Sequence, residues 1–262
     1  MNIPLYQVDA FTARIFSGNP AAVCPLEKWL PDATMQAIAA ENNLSETAFF
    51  VEKGDVFEIR WFTPAVEVDL CGHATLAAAH VIFNHINYFK PRITFLSASG
   101  SLRVEKKDDL LVLDFPAWDP EPAEPPALLT EGLGRTPREV FKGRDFMAVF
   151  ESEADVAAIS PDFASLARLD SLGIIATARG DACDFISRFF APRAGIPEDP
   201  VTGSAHTELV PFWAKRLKKS TLHAFQVSKR GGELFCEYRG DRVGIGGRAV
   251  TFLQGEIDAG LG

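Results

Sequence analysis

The sequence predicts an α+β chain of two similar domains, each built of strands wrapped around one central helix. Three observations predict it. The stretch Glu67-Val68-Asp69-Leu70-Cys71-Gly72-His73-Ala74 returns as Glu198-Asp199-Pro200-Val201-Thr202-Gly203-Ser204-Ala205. Each copy follows a Phe-x-Pro tripeptide, Phe62-Thr63-Pro64 and Phe190-Ala191-Pro192, with three more residues before the second Glu. A repeat of this kind marks two similar structural units. Each copy also runs into an apolar segment of helical length, and each such segment is flanked by short strand-like runs punctuated by turns.

The first half reads in order as follows. Ile3, Leu5, Val8 and Phe11 suggest an opening strand, Ser17-Gly18-Asn19-Pro20 a turn, and Ala21-Ala22-Val23-Cys24 a short return strand. Pro31-Asp32 starts a helix with Met35, Ile38 and Ala39 on one face, ending at Asn42-Asn43. The β-prone Ala48-Phe49-Phe50-Val51 follows, so Glu46 stands at a strand start just after a helix end. Phe57, Ile59 and Trp61 share one side of a strand over 57–62. From His73 to Phe83 the chain is apolar almost all round, which describes an enclosed helix. Strands over 93–96, 100–106 and 110–115 complete this half, the last pair joined at Asp108-Asp109.

Pro116 to Pro126 holds five prolines and resists both helix and sheet, which places a boundary between domains 1–115 and 116–262, with the last residues able to pack back on the first. Beyond it, Val140-Phe141 and Met147 to Phe150 read as strands, and Ser160-Pro161-Asp162 as a helix start with Ser160 as N-cap. Gly173 to Thr177 and Phe185 to Phe190 are strands, and the second copy of the repeat opens a helix from about Ser204 to Leu217, kinked or shortened by Pro211. Strands over 225–228, 234–238, 242–245 and 249–254 finish the chain.

Composition narrows the function. With 262 residues and 47% hydrophobic content there is material for two cores. Lys and Arg number 26 against 35 Asp and Glu, so no basic face competes for a nucleic-acid backbone, and nucleic acid is not expected as a partner. The four cysteines, Cys24, Cys71, Cys183 and Cys236, form no metal spacing and read as reduced thiols of a cytoplasmic protein. The first nine residues read as a strand rather than a leader, and no run of about 18 apolar residues suggests a membrane span.

A helix start leaves backbone N–H groups unpaired and carries a partial positive charge, so two such starts facing one cleft would hold a small anion. Gly72 and Gly203 would let it approach the backbone closely. The two copies are chemically unequal: Cys71 corresponds to Thr202, and His73 to Ser204. A threonine hydroxyl cannot serve as a thiolate base, which disfavours two-thiol epimerisation and leaves Cys71 as a small packing residue.

The elements Phe16-Ser17-Gly18-Asn19-Pro20-Ala21-Ala22-Val23, Asn43-Leu44-Ser45-Glu46-Thr47-Ala48-Phe49, Asp69-Leu70-Cys71-Gly72-His73-Ala74-Thr75 and Glu198-Asp199-Pro200-Val201-Thr202-Gly203-Ser204-Ala205 together resemble the PhzF-like (phenazine biosynthesis-like) proteins, from near residue 5 to near residue 255. The resemblance implies a diaminopimelate-epimerase-like fold, two β-barrels each around a central helix, with the active site in the cleft between them, and a homodimer. It implies an isomerase without cofactor or metal, in a biosynthetic role, that moves a proton between carbons of a small unsaturated or amino carboxylic acid. Glu46 then matches the family's acid/base glutamate. A carboxyl group can serve as both acid and base when burial raises its pKa towards neutrality. His73 and Asp199 match its catalytic histidine and aspartate, while Asn19, Gly72, Gly203 and Ser204 would bind the substrate. Two other readings stay open on the residues: a carboxylate-binding protein without chemistry, and a cysteine-dependent racemase or epimerase.

Overall fold

The computed structural model describes residues 2–260. It divides into two compact units, Met1–Asp114 with Gly246–Gly262, and Phe115–Ile245.

The first unit is built on β1 (Asn2–Ala10), β2 (Asn19–Leu26), β3 (Glu46–Lys53), β4 (Val56–Phe62), β5 (Glu67–Val68), β6 (Arg92–Ser97), β7 (Gly100–Lys107) and β8 (Leu110–Pro116). Helices α1 (Asp32–Asn42) and α2 (Gly72–His85) make its two crossovers. β2 pairs antiparallel with β1 and parallel with β3, with Ala21 beside Glu46. β4 pairs antiparallel with β3 and β5, and parallel with β6, which continues into β7 and β8. Parallel neighbours need a crossover, and here each is a helix. α2 buries every residue from His73 to Ala79 and packs on β1, β2 and β3. Its run Ala77-Ala78-Ala79 lets strands approach on several sides at once. α1 covers the other face of β3 and β4, where Met35, Ile38 and Ala39 meet Phe49 and Phe62. It ends at Asn43 in the left-handed region (φ 49°), and the chain enters β3 at Glu46.

The second unit contains β9 (Glu121–Pro122), α3 (Ala127–Leu133), β10 (Glu139–Lys142), β11 (Phe146–Val149), α4 (Glu153–Ala157), α5 (Phe163–Leu166), β12 (Ile174–Arg179), β13 (Phe185–Ala191), β14 (Ile196–Asp199), α6 (His206–Leu217), β15 (Thr221–Gln226), β16 (Gly232–Tyr238) and β17 (Arg242–Gly247). Its pairing repeats that of the first unit. β10 and β11 are antiparallel, β11 and β12 parallel, β12 and β13 antiparallel, β13 and the short β14 antiparallel, β13 and β15 parallel, β15 and β16 antiparallel. α6 occupies the crossover that α2 makes in the first unit. The final strand, β18 (Ala249–Asp258), pairs antiparallel with β1 from Asn2 opposite Asp258 to Ala10 opposite Ala249.

Four local readings are corrected. The proline-rich stretch carries β9, whose Glu121 and Pro122 pair with Lys142 and Phe141. Asp162, not Ser160, caps the helix there, accepting from the Ala164 and Ser165 amides, and that helix is only four residues long. The strand expected at 225–228 lies at Thr221–Gln226. The second copy of the repeat does not open its helix at the glycine: α6 starts at His206, after a tight turn in which His206, Thr207 and Glu208 N–H groups bond three residues back to Gly203, Ser204 and Ala205 carbonyls. Pro211 lies inside α6. Its missing N–H leaves the Thr207 carbonyl without its helical donor, and the Trp118 amide supplies one at 2.9 Å, which is why the helix continues.

Candidate active site

In the first unit, three elements deliver four side chains to one place. Asn19 is the first residue of β2, Glu46 the first of β3, and His73 the second of α2, with Cys71 as its N-cap. Asn19 is fully buried, and Glu46, His73 and Cys71 are 9%, 5% and 7% exposed. The His73 ring lies among them. Its Nε2 is 3.1 Å from Glu46 Oε2, at ion-pair distance but out of line for a good hydrogen bond. On the other side, Nδ1 is 3.1 Å from Asn19 Nδ2 and 3.6 Å from Cys71 Sγ.

These contacts constrain the protons. When the Asn19 amide donates to Nδ1, the neutral ring carries its proton on Nε2, facing Glu46. When His73 carries both protons, a half-turn of that amide presents its oxygen instead. Burial opposes charging His73, yet the anionic forms of Cys71 and Glu46 outweigh it and hold His73 well above the ordinary histidine value. Burial pushes the Cys71 thiol up, and the Glu46 charge adds to that. The Cys71 thiol and the His73 ring are therefore coupled, so that charge on one favours the opposite charge on the other. Gly72 opens α2, where the first amides have no helical partner. Thr75 steadies this start by donating from its amide and, at 2.5 Å, from its hydroxyl to the Cys71 carbonyl.

In the second unit, Asp199 ends β14 and is 8% exposed. The Thr202 hydroxyl donates to Asp199 Oδ2 at 2.5 Å. Gln226, fully buried at the end of β15, ties the turn together: its Oε1 accepts from the Thr202 amide at 2.9 Å, and its Nε2 donates to the Asp199 carbonyl at 2.8 Å and to Thr202 Oγ1 at 3.1 Å. Gly203 and Ser204 form the tight turn before α6, and Ser204 is half-buried and does not cap the helix. His206 Nδ1 bonds the Thr202 carbonyl at 2.8 Å, while burial lowers its pKa to about 4, so it is a neutral structural group. Sequence reasoning did not single out Gln226, because an isolated glutamine carries no periodicity or spacing signal. Nor did it place Cys71 against His73.

Among the described residues, no helix is long and apolar enough to cross a membrane. Residues 8–255 match the family described as phenazine biosynthesis-like protein. An uncharacterized isomerase of Pseudomonas aeruginosa is 54% identical over 258 residues, covering 98% of this chain and 99% of that one. The crystal structure of a PhzF-family phenazine biosynthesis protein from Enterococcus faecalis superposes with a TM-score of 0.97 at 52% identity, over 98% of this chain and 100% of that one. A predicted epimerase from P. aeruginosa shares the fold alone, at a TM-score of 0.77 and 20% identity over 97% and 99% of the two chains. Sequence, topology and the pairing of each unit thus agree: the chain belongs to the phenazine biosynthesis-like (PhzF) family, with its epimerase-like α+β fold.

Proposed function

We propose that this protein is an isomerase that moves a proton within a small unsaturated or amino carboxylic acid, with Glu46 as the acid/base group. Relatives named as isomerases support the reaction class. The observation that carries the assignment is the buried approach of Glu46 to His73, with Asn19 behind the ring. Glu46 removes a proton from a carbon of the substrate and returns it to another, so protons balance over one turnover. His73, with its proton on Nε2, orients the Glu46 carboxylate and stabilises its charged form. The amides at Gly72, at the helix start where no helical partner exists, receive a substrate oxygen. In the second unit, Asp199 assists the proton transfer while Gly203 and Ser204 bind the substrate carboxylate, and Gln226 holds their turn in shape.

The test is proton NMR in heavy water over a panel of small unsaturated and amino carboxylates. Solvent deuterium should enter the accepted substrate with wild type and fall by about 10²–10⁴-fold with Glu46→Gln. Undiminished incorporation in that variant would refute Glu46 as the proton carrier. Binding of a panel member without any incorporation would leave a carboxylate-binding protein.

A further inference from the structure

We propose that Glu46, Cys71 and His73 form a binding site for a thiophilic divalent cation of the zinc class. Each offers one ligand atom, and the three atoms lie within 4.8 Å of one another in a buried position. Among the described residues no other group of His, Cys, Asp or Glu side chains is so placed. A thiolate, an imidazole and a carboxylate are the donor types that zinc takes in tetrahedral sites, leaving a fourth position for water or an anion.

The three donors lie within 4.8 Å of one another, close enough for one ion to draw them together. Metal–sulfur and metal–nitrogen or –oxygen bonds of about 2.3 and 2.0 Å, at tetrahedral angles, set donors about 3.3–3.6 Å apart. Cys71 Sγ is 3.6 Å from His73 Nδ1, and Glu46 Oε2 is 3.1 Å from Nε2. These contacts use opposite ring nitrogens, so binding requires one side chain to turn by about an ångström towards the nitrogen that ligates. Ligation through Nε2 leaves Nδ1–H for the Asn19 oxygen, the outer contact that metal-bound histidines commonly make. Charge also matches. A divalent ion with one thiolate and one carboxylate is neutral, which removes most of the cost of burying it. Cys71 loses its thiol proton to solvent as the sulfur–metal bond forms, and no electron is transferred. An occupied site withdraws both Glu46 and His73 from proton transfer, a consequence that rests on the function proposed above.

The probe is Co²⁺ added to the purified protein, read by the thiolate-to-cobalt charge-transfer absorption. The band should saturate at one Co²⁺ per chain and be erased by Zn²⁺. It should vanish in Cys71→Ser and persist in Cys183→Ser, which alters a half-buried thiol elsewhere. Glu46→Gln, with its nearly unchanged shape, should bind Co²⁺ at least about tenfold more weakly. No band in wild type, a band surviving in Cys71→Ser, or unchanged affinity in Glu46→Gln would overturn the site. The readout does not involve turnover, so a failure here is distinguishable from a failure of the isomerase assignment.

Discussion

The two units share a scaffold and differ in what they place on it. In the first, Ala22 lies beside Thr47 and Thr47 opposite Phe62; in the second, Phe146 lies beside Ile174 and Ile174 opposite Phe190. Matching Phe62 with Phe190, as the doubled stretch requires, puts Gly173 where the first unit has Glu46, while β11 is shorter than β2 and the turn that begins at Gly143 stands in place of the Asn19 end. Glu46 and Cys71 thus correspond to Gly173 and Thr202, and His73 itself to Ser204. The second unit has no carboxylate, ring or thiol at these positions. The space there is filled by its own core: a Cβ on Gly143 would stand 2.2 Å from Glu208 Oε2, and one on Gly173 would stand 2.2 Å from the Phe189 ring and 2.8 Å from Asp145 Oδ1. A duplicated framework therefore hosts an ionisable cluster in one copy and a packed, hydrogen-bonded turn in the other.

Three further experiments bear on this contrast, and the largest effect concerns Glu208. It is fully buried on α6, its Oε1 accepting from the Asp145 amide at 3.2 Å. Burial first, and the nearby Asp145 charge second, raise its pKa from 4.5 to about 7, against the weaker opposing pull of Arg144 and Lys142. The folded protein then holds a proton that the unfolded chain has released, so stability falls as pH rises from about 4.5 to about 7. At about 1.4 kcal/mol per pH unit the full penalty approaches about 3 kcal/mol. Urea unfolding at pH 5 and pH 8 should show this loss in wild type and little of it in Glu208→Gln. An equal loss in both proteins would mean that Glu208 is ionised throughout and that the second unit also carries a buried charge.

Next comes Gly173→Ala. The added methyl meets the Phe189 ring and the Asp145 carboxylate, and overpacking of this kind costs about 2 kcal/mol in thermal unfolding. A neutral result would show that the second unit could still accept a side chain where the first has Glu46. The smallest effect is expected from Thr75→Val, which removes the hydroxyl bond to the Cys71 carbonyl at the start of α2 and should lower stability by about 1 kcal/mol. Its counterpart by position, His206, bonds the Thr202 carbonyl in the same way. A null effect in Thr75→Val would set the two helix starts further apart than their shared carbonyl bond implies.

Much of this framework is visible in the residues. The doubled stretch, the all-round apolar α2, the alternation of Phe57, Ile59 and Trp61, and the asparagine that ends α1 all carry local signals that survive without knowledge of the fold. What escapes reading depends on partners distant in the chain. β9 exists because Phe141 and Lys142 offer it an edge, not because Glu121-Pro122 favours extension. The helix passes Pro211 because Trp118 reaches the carbonyl that the proline orphans. The correspondence of Glu46 with Gly173 emerges only from strand register, since the sequences around the two are unlike. Gln226 acts on a turn more than twenty residues away, where no spacing rule applies.

The pairing of β18 with β1 has a consequence for the order in which the molecule can be completed. Residues 115–245 are contiguous, so everything that unit needs has been synthesised before Gly246 is added. β1, by contrast, must wait for a strand made more than two hundred residues later, since it meets β18 only after residue 249. The N-terminal portion is thus the later of the two to close. During that interval the edge of β1 is an open template for other strands, and the apolar α2 that it helps cover is guarded only in part.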